Sequence, residues 1–281
     1  MTSILITGGA GFFGRAFVDR ALAHGLYDRI CIYSRDEAKH AAMREQWPGD
    51  DRLRFFIGDV RDERRLWRAL DGVEHVVHAA ALKRVEVGEY DPGELAKTNI
   101  LGTLNVIDAC QLTGVRKVVA LSTDKACDPI NAYGASKLML EKLMLAANNA
   151  RGANGPIFAV TRYGNVVGST GSVIPMWRRL LAQGEYLLPV TDPDATRFWM
   201  HAEQAVLLVL DTLDTMKGGE LAIPTLPAYR LGDLCEAMGG QPDLIGLRPG
   251  EKLHESLDTG ITSDKAERLT VKQLRSVLLS V

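Results

Sequence analysis

Ser3-Ile4-Leu5-Ile6-Thr7-Gly8-Gly9-Ala10-Gly11-Phe12-Phe13-Gly14 decides how this chain folds. Residues 3–7 are apolar and β-branched, the pattern of a short buried strand. Residues 12–24 then place Phe13, Phe17, Ala21 and His24 on a 3.6-residue period, the pattern of a helix. Between them Gly8, Gly11 and Gly14 give the spacing GxxGxxG. The first glycine permits a tight turn, the second lets backbone approach a pyrophosphate, and the third lets helix and strand pack closely. The N–H groups that open the helix are free to hold phosphate. The turn, with Ala10, Phe12 and Phe13, therefore reads as a dinucleotide site.

Outward from that turn, strand patterns at 29–33, 53–57, 74–78, 115–121 and 157–162 alternate with helical patterns. The helices are expected at 37–46, 63–70, from Asp91 to about Thr113, and at about 131–150. Asp91-Pro92-Gly93-Glu94 supplies a cap, a proline at the first helical position and a capping-box glutamate. Such alternation builds a parallel sheet covered by helices on both faces. The expectation is an α/β fold: a Rossmann-type doubly wound parallel sheet with a smaller C-terminal substrate-binding domain. Residues 1–165 would form the dinucleotide-binding part. Beyond them Pro175, Pro189, Pro193, Pro224, Pro227, Pro242 and Pro249 break the pattern, so 166–281 read mainly as the second part, with segments crossing between the two.

Composition narrows the function. The 33 basic and 35 acidic residues leave a net charge of −2, which offers no polyanion-binding surface and argues against nucleic acid. Cys31, Cys110, Cys127 and Cys235 form neither a CxxC pair nor a disulfide framework, and the histidines show no metal spacing, so no metal is expected. The N-terminus lacks the pattern of a signal peptide, and no run of about 18 apolar residues suggests a membrane span. A reducing cytoplasm is the expected location.

The second strand addresses the cofactor. NAD enzymes place Asp or Glu there for the ribose hydroxyls. This chain reads Tyr33-Ser34-Arg35-Asp36-Glu37-Ala38-Lys39, so Ser34, Arg35 and Lys39 favour a 2′-phosphate, hence NADP, over a merely solvated charged loop, while Asp36 and Glu37 close behind leave NAD open. After the third strand, Asp59 is placed to accept from an adenine amino group or, like Asp62, to cap a helix.

Tyr133-Gly134-Ala135-Ser136-Lys137 puts a phenol and an amine on one helix face at i and i+4. A lysine cation beside a phenol favours phenolate, which predicts a lowered Tyr133 pKa and a base able to take a hydroxyl proton. Ser122-Thr123 precedes it at a strand end, where ligands of open α/β sheets bind.

The glycine turn, Ser/Thr and YxxxK, in that order, match the extended short-chain dehydrogenases/reductases. Narrower stretches resemble the inverting UDP-N-acetylglucosamine 4,6-dehydratases of the pseudaminic acid type: Ser122-Thr123-Asp124-Lys125-Ala126, His78-Ala79-Ala80-Ala81-Leu82-Lys83, Arg162-Tyr163-Gly164-Asn165-Val166-Val167-Gly168-Ser169, Thr196-Arg197-Phe198-Trp199 and Arg248-Pro249-Gly250-Glu251-Lys252-Leu253-His254-Glu255. The resemblance implies a reaction in which C4 is oxidised, C5 loses its proton, water leaves from C6 and hydride returns to C6. It implies Lys125 as the C5 base, Asp124 as the acid at C6, and Tyr133 as the C4 base supported by Lys137 and Thr123. A basic lysine must be partly neutral, so the expectation is a lowered Lys125 pKa. Further cofactor contacts are implied at Val60, Ala79, Ala80, Lys83, Asn99, Tyr133, Lys137, Tyr163, Asn165 and Val166, with Tyr163 read as packing rather than as a second catalytic tyrosine. Substrate contacts are implied at Lys83, Asn165, Val173, Thr191, Arg197, Arg248 and Glu251, where Arg248 suits a diphosphate and Glu251 a ribose. The implied partner is a UDP-sugar, and a homo-oligomer is admitted.

Relatives of this type run some tens of residues longer, with an extra segment after the position of Glu255. The same site admits a UDP-sugar 4- or 5-epimerase or a 5,6-dehydratase. A non-enzymatic NADP-sensing regulator is the remote alternative, disfavoured because such proteins often lose the YxxxK pair that is intact in this chain.

Overall fold

The computed structural model describes residues 2–279. The strands are β1 (Ser3–Thr7), β2 (Arg29–Ser34), β3 (Leu53–Ile57), β4 (His75–His78), β5 (Lys117–Thr123), β6 (Ile157–Tyr163), β7 (Asn165–Val166), β8 (Leu187–Val190), β9 (Thr196–Met200), β10 (Leu221–Ala222), β11 (Ala228–Arg230), β12 (Gln241–Leu244), β13 (Ser256–Asp258) and β14 (Ile261–Thr262). The main helices are α1 (Phe12–Ala23), α2 (Glu37–Gln46), α3 (Glu63–Leu70), α4 (Val85–Tyr90), α5 (Pro92–Leu95), α6 (Gly102–Leu112), α7 (Ala132–Ala150), α8 (Val173–Ala182), α9 (Ala202–Thr215), α10 (Leu231–Ala237) and α11 (Val271–Leu278).

Seven strands pair in the order β10-β6-β5-β4-β1-β2-β3, every neighbour parallel. This is the doubly wound arrangement the strand–helix alternation predicts. Side chains alternate along each strand, so each strand feeds two cores. Ile4, Ile6, Val119 and Leu121 pack with Phe17, Val206 and Val209 of α1 and α9. Leu5, Val118 and Ala120 pack with Leu66, Val106, Leu140 and Met144 of α3, α6 and α7. Cover on both faces explains the uninterrupted apolar strands. The order reverses between β1 and β4, and the crevice opens beyond their carboxyl ends, where Gly8 and Ala79 sit.

A third core joins Trp177, Leu188, Val190, Trp199, Tyr229 and Leu234 beneath α8, α10 and α11. The chain nevertheless returns once to the large sheet, since β10 pairs with β6. All four cysteines are buried and free. No helix of the described residues is long and apolar enough to cross a membrane.

Two local expectations change. The single helix expected from Asp91 is interrupted: after α5, residues Ala96–Leu101 form a π-turn before α6 begins. The capping box is only half made. Asp91 accepts from the Glu94 N–H at 3.3 Å, but the Glu94 carboxylate turns to Arg61 at 2.6 Å and Lys97 at 2.7 Å. Short helix α4 lies in a stretch to which the sequence reading assigns no element.

Candidate active site

A cleft of about 870 Å³ runs across the sheet's switch point, within the size range of small-molecule sites. At its first end the glycine turn has the geometry a dinucleotide needs. Gly8 has φ +67°, and a Cβ there would lie 3.0 Å from Ala80 backbone. Gly14 does not line the cleft; a Cβ there would come 2.2 Å from the Gly9 carbonyl, so it serves close packing of α1 on the turn. Gly8, Ala10, Gly11, Phe12 and Phe13 line the wall, as do Val60, Ala79, Ala80, Lys83, Tyr163, Asn165 and Val166. This bare, glycine-built cradle at a helix start fits a dinucleotide pyrophosphate.

Beyond β2, Ser34, Arg35, Lys39 and Asp59 also line the cleft. Ser34 Oγ lies 2.7 Å from His40 Nε2. Arg35 approaches the Asp59 carboxylate at 3.4 Å, and Lys39 reaches Asp36 at 3.1 Å. Asp36 and Asp62 cap α2 and α3, while Asp59 Oδ1 accepts from the Arg61 N–H at 3.0 Å. Asn99 is fully buried away from the cleft, in the π-turn. It accepts from the Leu82 N–H at 2.8 Å, donates to the Leu82 carbonyl at 2.9 Å, and donates to Ser136 at 2.9 Å. It thereby fixes the β4 loop against α7, an instance of a π-turn beside a functional cleft.

At the other end, β5 delivers Thr123, and a single 3₁₀ turn, Asp124–Ala126, follows. Helix α7 is capped by Asn131, which accepts from the Gly134 N–H at 2.7 Å and donates to the Gly250 carbonyl at 2.7 Å. A Cβ at Gly134 would strike the Lys125 carbonyl at 2.1 Å, so the glycine inside YGASK lets α7 lie against the turn. Thr123, Lys125, Tyr133 and Lys137 face one cleft wall. Lys137 Nζ donates to the Leu121 carbonyl at 2.5 Å. Asp124 is fully buried behind them. Its Oδ1 accepts from Thr123 Oγ1 at 2.9 Å and from Lys125 Nζ at 3.1 Å, while Oδ2 has no partner among the described residues.

Two electrostatic expectations are corrected. Burial pushes the Tyr133 phenol up to about 12, outweighing the Lys125 cation, instead of lowering it. Burial likewise brings Lys137 down to about 8 against the pull of Glu141. For Lys125, burial alone would lower the pKa, but Asp124 and Glu255 beside it hold it above the ordinary lysine range. Burial raises Asp124 against the opposing Lys125 charge.

Glu255 was not singled out as a site residue, yet its Oε1 lies 2.9 Å from Lys125 Nζ. Nothing local in the sequence marks this contact; it forms only when the C-terminal segment folds back. Ser122 donates to Glu141 at 2.5 Å, and Glu141 forms a buried ion pair with Arg162 at 2.5 Å. Arg162 also donates to the Leu257 carbonyl at 2.8 Å, tying that segment to the large sheet. Of the expected substrate residues, Lys83 and Asn165 line the cleft, and Val173, Thr191, Arg197, Arg248 and Glu251 do not. Arg197 is buried, paired with Glu251 at 2.7 Å, and Glu251 also accepts from Thr191 at 3.0 Å. Arg248 is exposed. His78 is buried between the hydroxyls of Thr7 and Thr103.

Residues 4–276 match the family described as polysaccharide biosynthesis protein. A Campylobacter jejuni protein named UDP-N-acetylglucosamine 4,6-dehydratase (inverting) is 50% identical over 93% of this chain and 78% of its own length. A Rickettsia rickettsii protein named UDP-glucose 4-epimerase is 41% identical over 95% of this chain and 80% of its own. Among solved structures, Pen from Bacillus thuringiensis superimposes with TM-score 0.95 at 32% identity, covering 100% of this chain and 98% of that one. DesIV, a dTDP-glucose 4,6-dehydratase from Streptomyces venezuelae solved with NAD, gives TM-score 0.83 at 25% identity over 99% and 96% of the two chains. The Campylobacter relative is the longer protein, as expected, whereas Pen has nearly the same extent. The chain belongs to the polysaccharide biosynthesis protein family, on the extended short-chain dehydrogenase/reductase fold.

Proposed function

We propose that this chain is a UDP-N-acetylglucosamine 4,6-dehydratase that uses NADP and inverts C5. The observation that carries this reading is Lys125 on the cleft wall that also holds Tyr133 and Lys137, with the Asp124 carboxylate paired to it from behind at 3.1 Å. Epimerisation at C4 needs one base. Dehydration needs a further base for C5 and an acid for the C6 hydroxyl, and this pair supplies both types of group. The name of the Campylobacter relative supports the reading.

A bound nicotinamide dinucleotide supplies the hydride acceptor for C4 and the donor for C6. The residues supply the proton chemistry. Tyr133 takes the C4 hydroxyl proton. Its raised pKa opposes that step in the free protein, and Lys137, one helical turn away, is the cation placed to assist. Asp124 serves as the acid: Oδ1 already accepts two hydrogen bonds, which leaves Oδ2 to carry a proton, and burial favours that protonated form. Lys125 acts at C5. Ser34, Arg35 and Lys39 support NADP, although the Streptomyces neighbour was solved with NAD. In this reading residues 1–165 hold the dinucleotide and 166–281 mainly hold the UDP-sugar. Arg248 would take the diphosphate and Glu251 the ribose, the latter after releasing part of its hold on Arg197 and Thr191.

The test is incubation with UDP-N-acetylglucosamine in deuterated water, followed by NMR. The expected product is a 4-keto-6-deoxy sugar with deuterium at C5, its C5 couplings inverted, and lost in Lys125→Ala. A product that keeps its C6 hydroxyl would identify an epimerase instead.

A further inference from the structure

We propose that Glu255 is the positioning residue that makes Lys125 a base: it holds the lysine ammonium in place and takes its proton before C5 is attacked. This rests on the dehydratase reading and deepens it.

The geometry poses a problem that Glu255 solves. Lys125 Nζ is surrounded by Asp124 Oδ1 at 3.1 Å, Glu255 Oε1 at 2.9 Å and Asn165 Oδ1 at 3.5 Å. An alkylammonium nitrogen has no lone pair to offer a carbon acid, and these three acceptors lie within reach of its three hydrogens. One proton must leave first. Asn165 cannot accept one. Asp124 is the group already placed to carry the C6 acid proton. Glu255 is the remaining acceptor, and the nearest.

Its own surroundings suit the task. Glu255 is 2% exposed, so bulk water does not compete for the transferred proton. Its Oε2 has no hydrogen-bond partner among the described residues, and its backbone N–H is held by Ser263 Oγ at 2.9 Å. Arg197 Nε stands 4.0 Å from Oε1 and Lys252 acts from further off; with Lys125 both favour the carboxylate, so the resting pair is ionised and the transfer must be driven by the bound sugar. Tyr133 on α7 and Tyr229 on β11 are the other titratable groups that face the cluster.

The step balances without an external reagent. An N–H bond of Lys125 breaks, its electron pair stays on nitrogen, and the proton forms an O–H bond on Glu255. That nitrogen pair then takes the C5 proton, and the C5–H electrons pass into the enolate next to the C4 ketone. A neutral amine–acid pair also becomes easier to form once bound sugar displaces water from the cleft, because a low dielectric disfavours the two separate charges.

The experiment compares wild type, Glu255→Gln and Glu255→Asp with UDP-N-acetylglucosamine in deuterated water across a pH series. Single turnovers are followed by reduced-nicotinamide absorbance for C4 oxidation, and by NMR for C5 deuterium and product. The expected result for Glu255→Gln is that C4 oxidation persists while C5 exchange and product fall about a hundredfold at every pH. Glu255→Asp should recover most of that loss. A Glu255→Gln enzyme that exchanges C5 at the wild-type limiting rate, with its pH profile displaced downward, would show that Glu255 is only a counter-ion and would overturn the proposal. If Glu255→Gln does not fold, Glu255→Asp decides: equal slowing of C4 oxidation and C5 exchange contradicts the proposal, and slowing confined to C5 supports it. A wild type that neither exchanges C5 nor loses the C6 oxygen would instead overturn the dehydratase reading, and this inference with it.

Discussion

The two ends of the cleft are built differently. The dinucleotide end is local: a strand, a glycine turn and a helix start within the first 14 residues, with walls from the next strand ends. Its shape depends on backbone, as the crowding at Gly8 and Gly14 shows. The sugar end is assembled from afar. Lys125 sits on the turn after β5, but the charges that set its protonation include Glu255 from the C-terminal segment and Arg197 from β9. The first end binds by form. The second works by a charge balance that exists only in the folded chain.

Substitutions at the two ends should therefore fail in different ways. The largest effect is expected from Tyr133→Phe, which removes the proton acceptor for the C4 hydroxyl. Turnover should fall by about 10²–10⁴-fold while the nicotinamide dinucleotide still binds, as measured by single-turnover absorbance and nucleotide titration. Loss of NADP binding in parallel would mean the two ends are not separable.

Next is Glu141→Ala. It leaves Arg162 buried without its partner and should cost about 3–5 kcal/mol in urea unfolding. A cost near zero would mean that this pair does not anchor the C-terminal segment through Leu257.

Arg35→Ala tests the dinucleotide end alone. Loss of a charged hydrogen bond to a 2′-phosphate should weaken NADP by about 1.5–3 kcal/mol and leave NAD unchanged in a fluorescence titration. Equal weakening of both would remove the argument for NADP.

The smallest effect concerns pH. Lys137 titrates near 8 in the folded protein, against an ordinary lysine value of 10.5. Between those values the unfolded chain binds more protons than the folded one, so rising pH stabilises the fold. The melting temperature of wild type relative to Lys137→Met, both free of nucleotide, should rise from pH 8 toward 10. A falling difference would contradict a buried ammonium.

This contrast also explains what the sequence made legible. The apolar runs in β1, β2, β3, β5 and β6 and the glycine spacing report local rules, so the sheet and the dinucleotide turn were readable. The π-turn at Ala96–Leu101 was not, because Asn99 earns its place there through Leu82 and Ser136, contacts that no periodicity encodes. Tyr133 and Lys137 were identifiable by spacing, but the direction of their pKa values was not, because burial outweighs the neighbouring charge. Arg197 and Glu251 were readable only as polar types; in the fold they bind each other.

In the proposed reaction one site moves hydride from C4 to C6 around a dehydration. The most direct measurement supplies UDP-N-acetylglucosamine carrying deuterium at C4 and locates the label by NMR after turnover. The label is expected at C6, in a methyl group bearing one deuterium. Deuterium returned to C4, with the C6 hydroxyl intact, would contradict it.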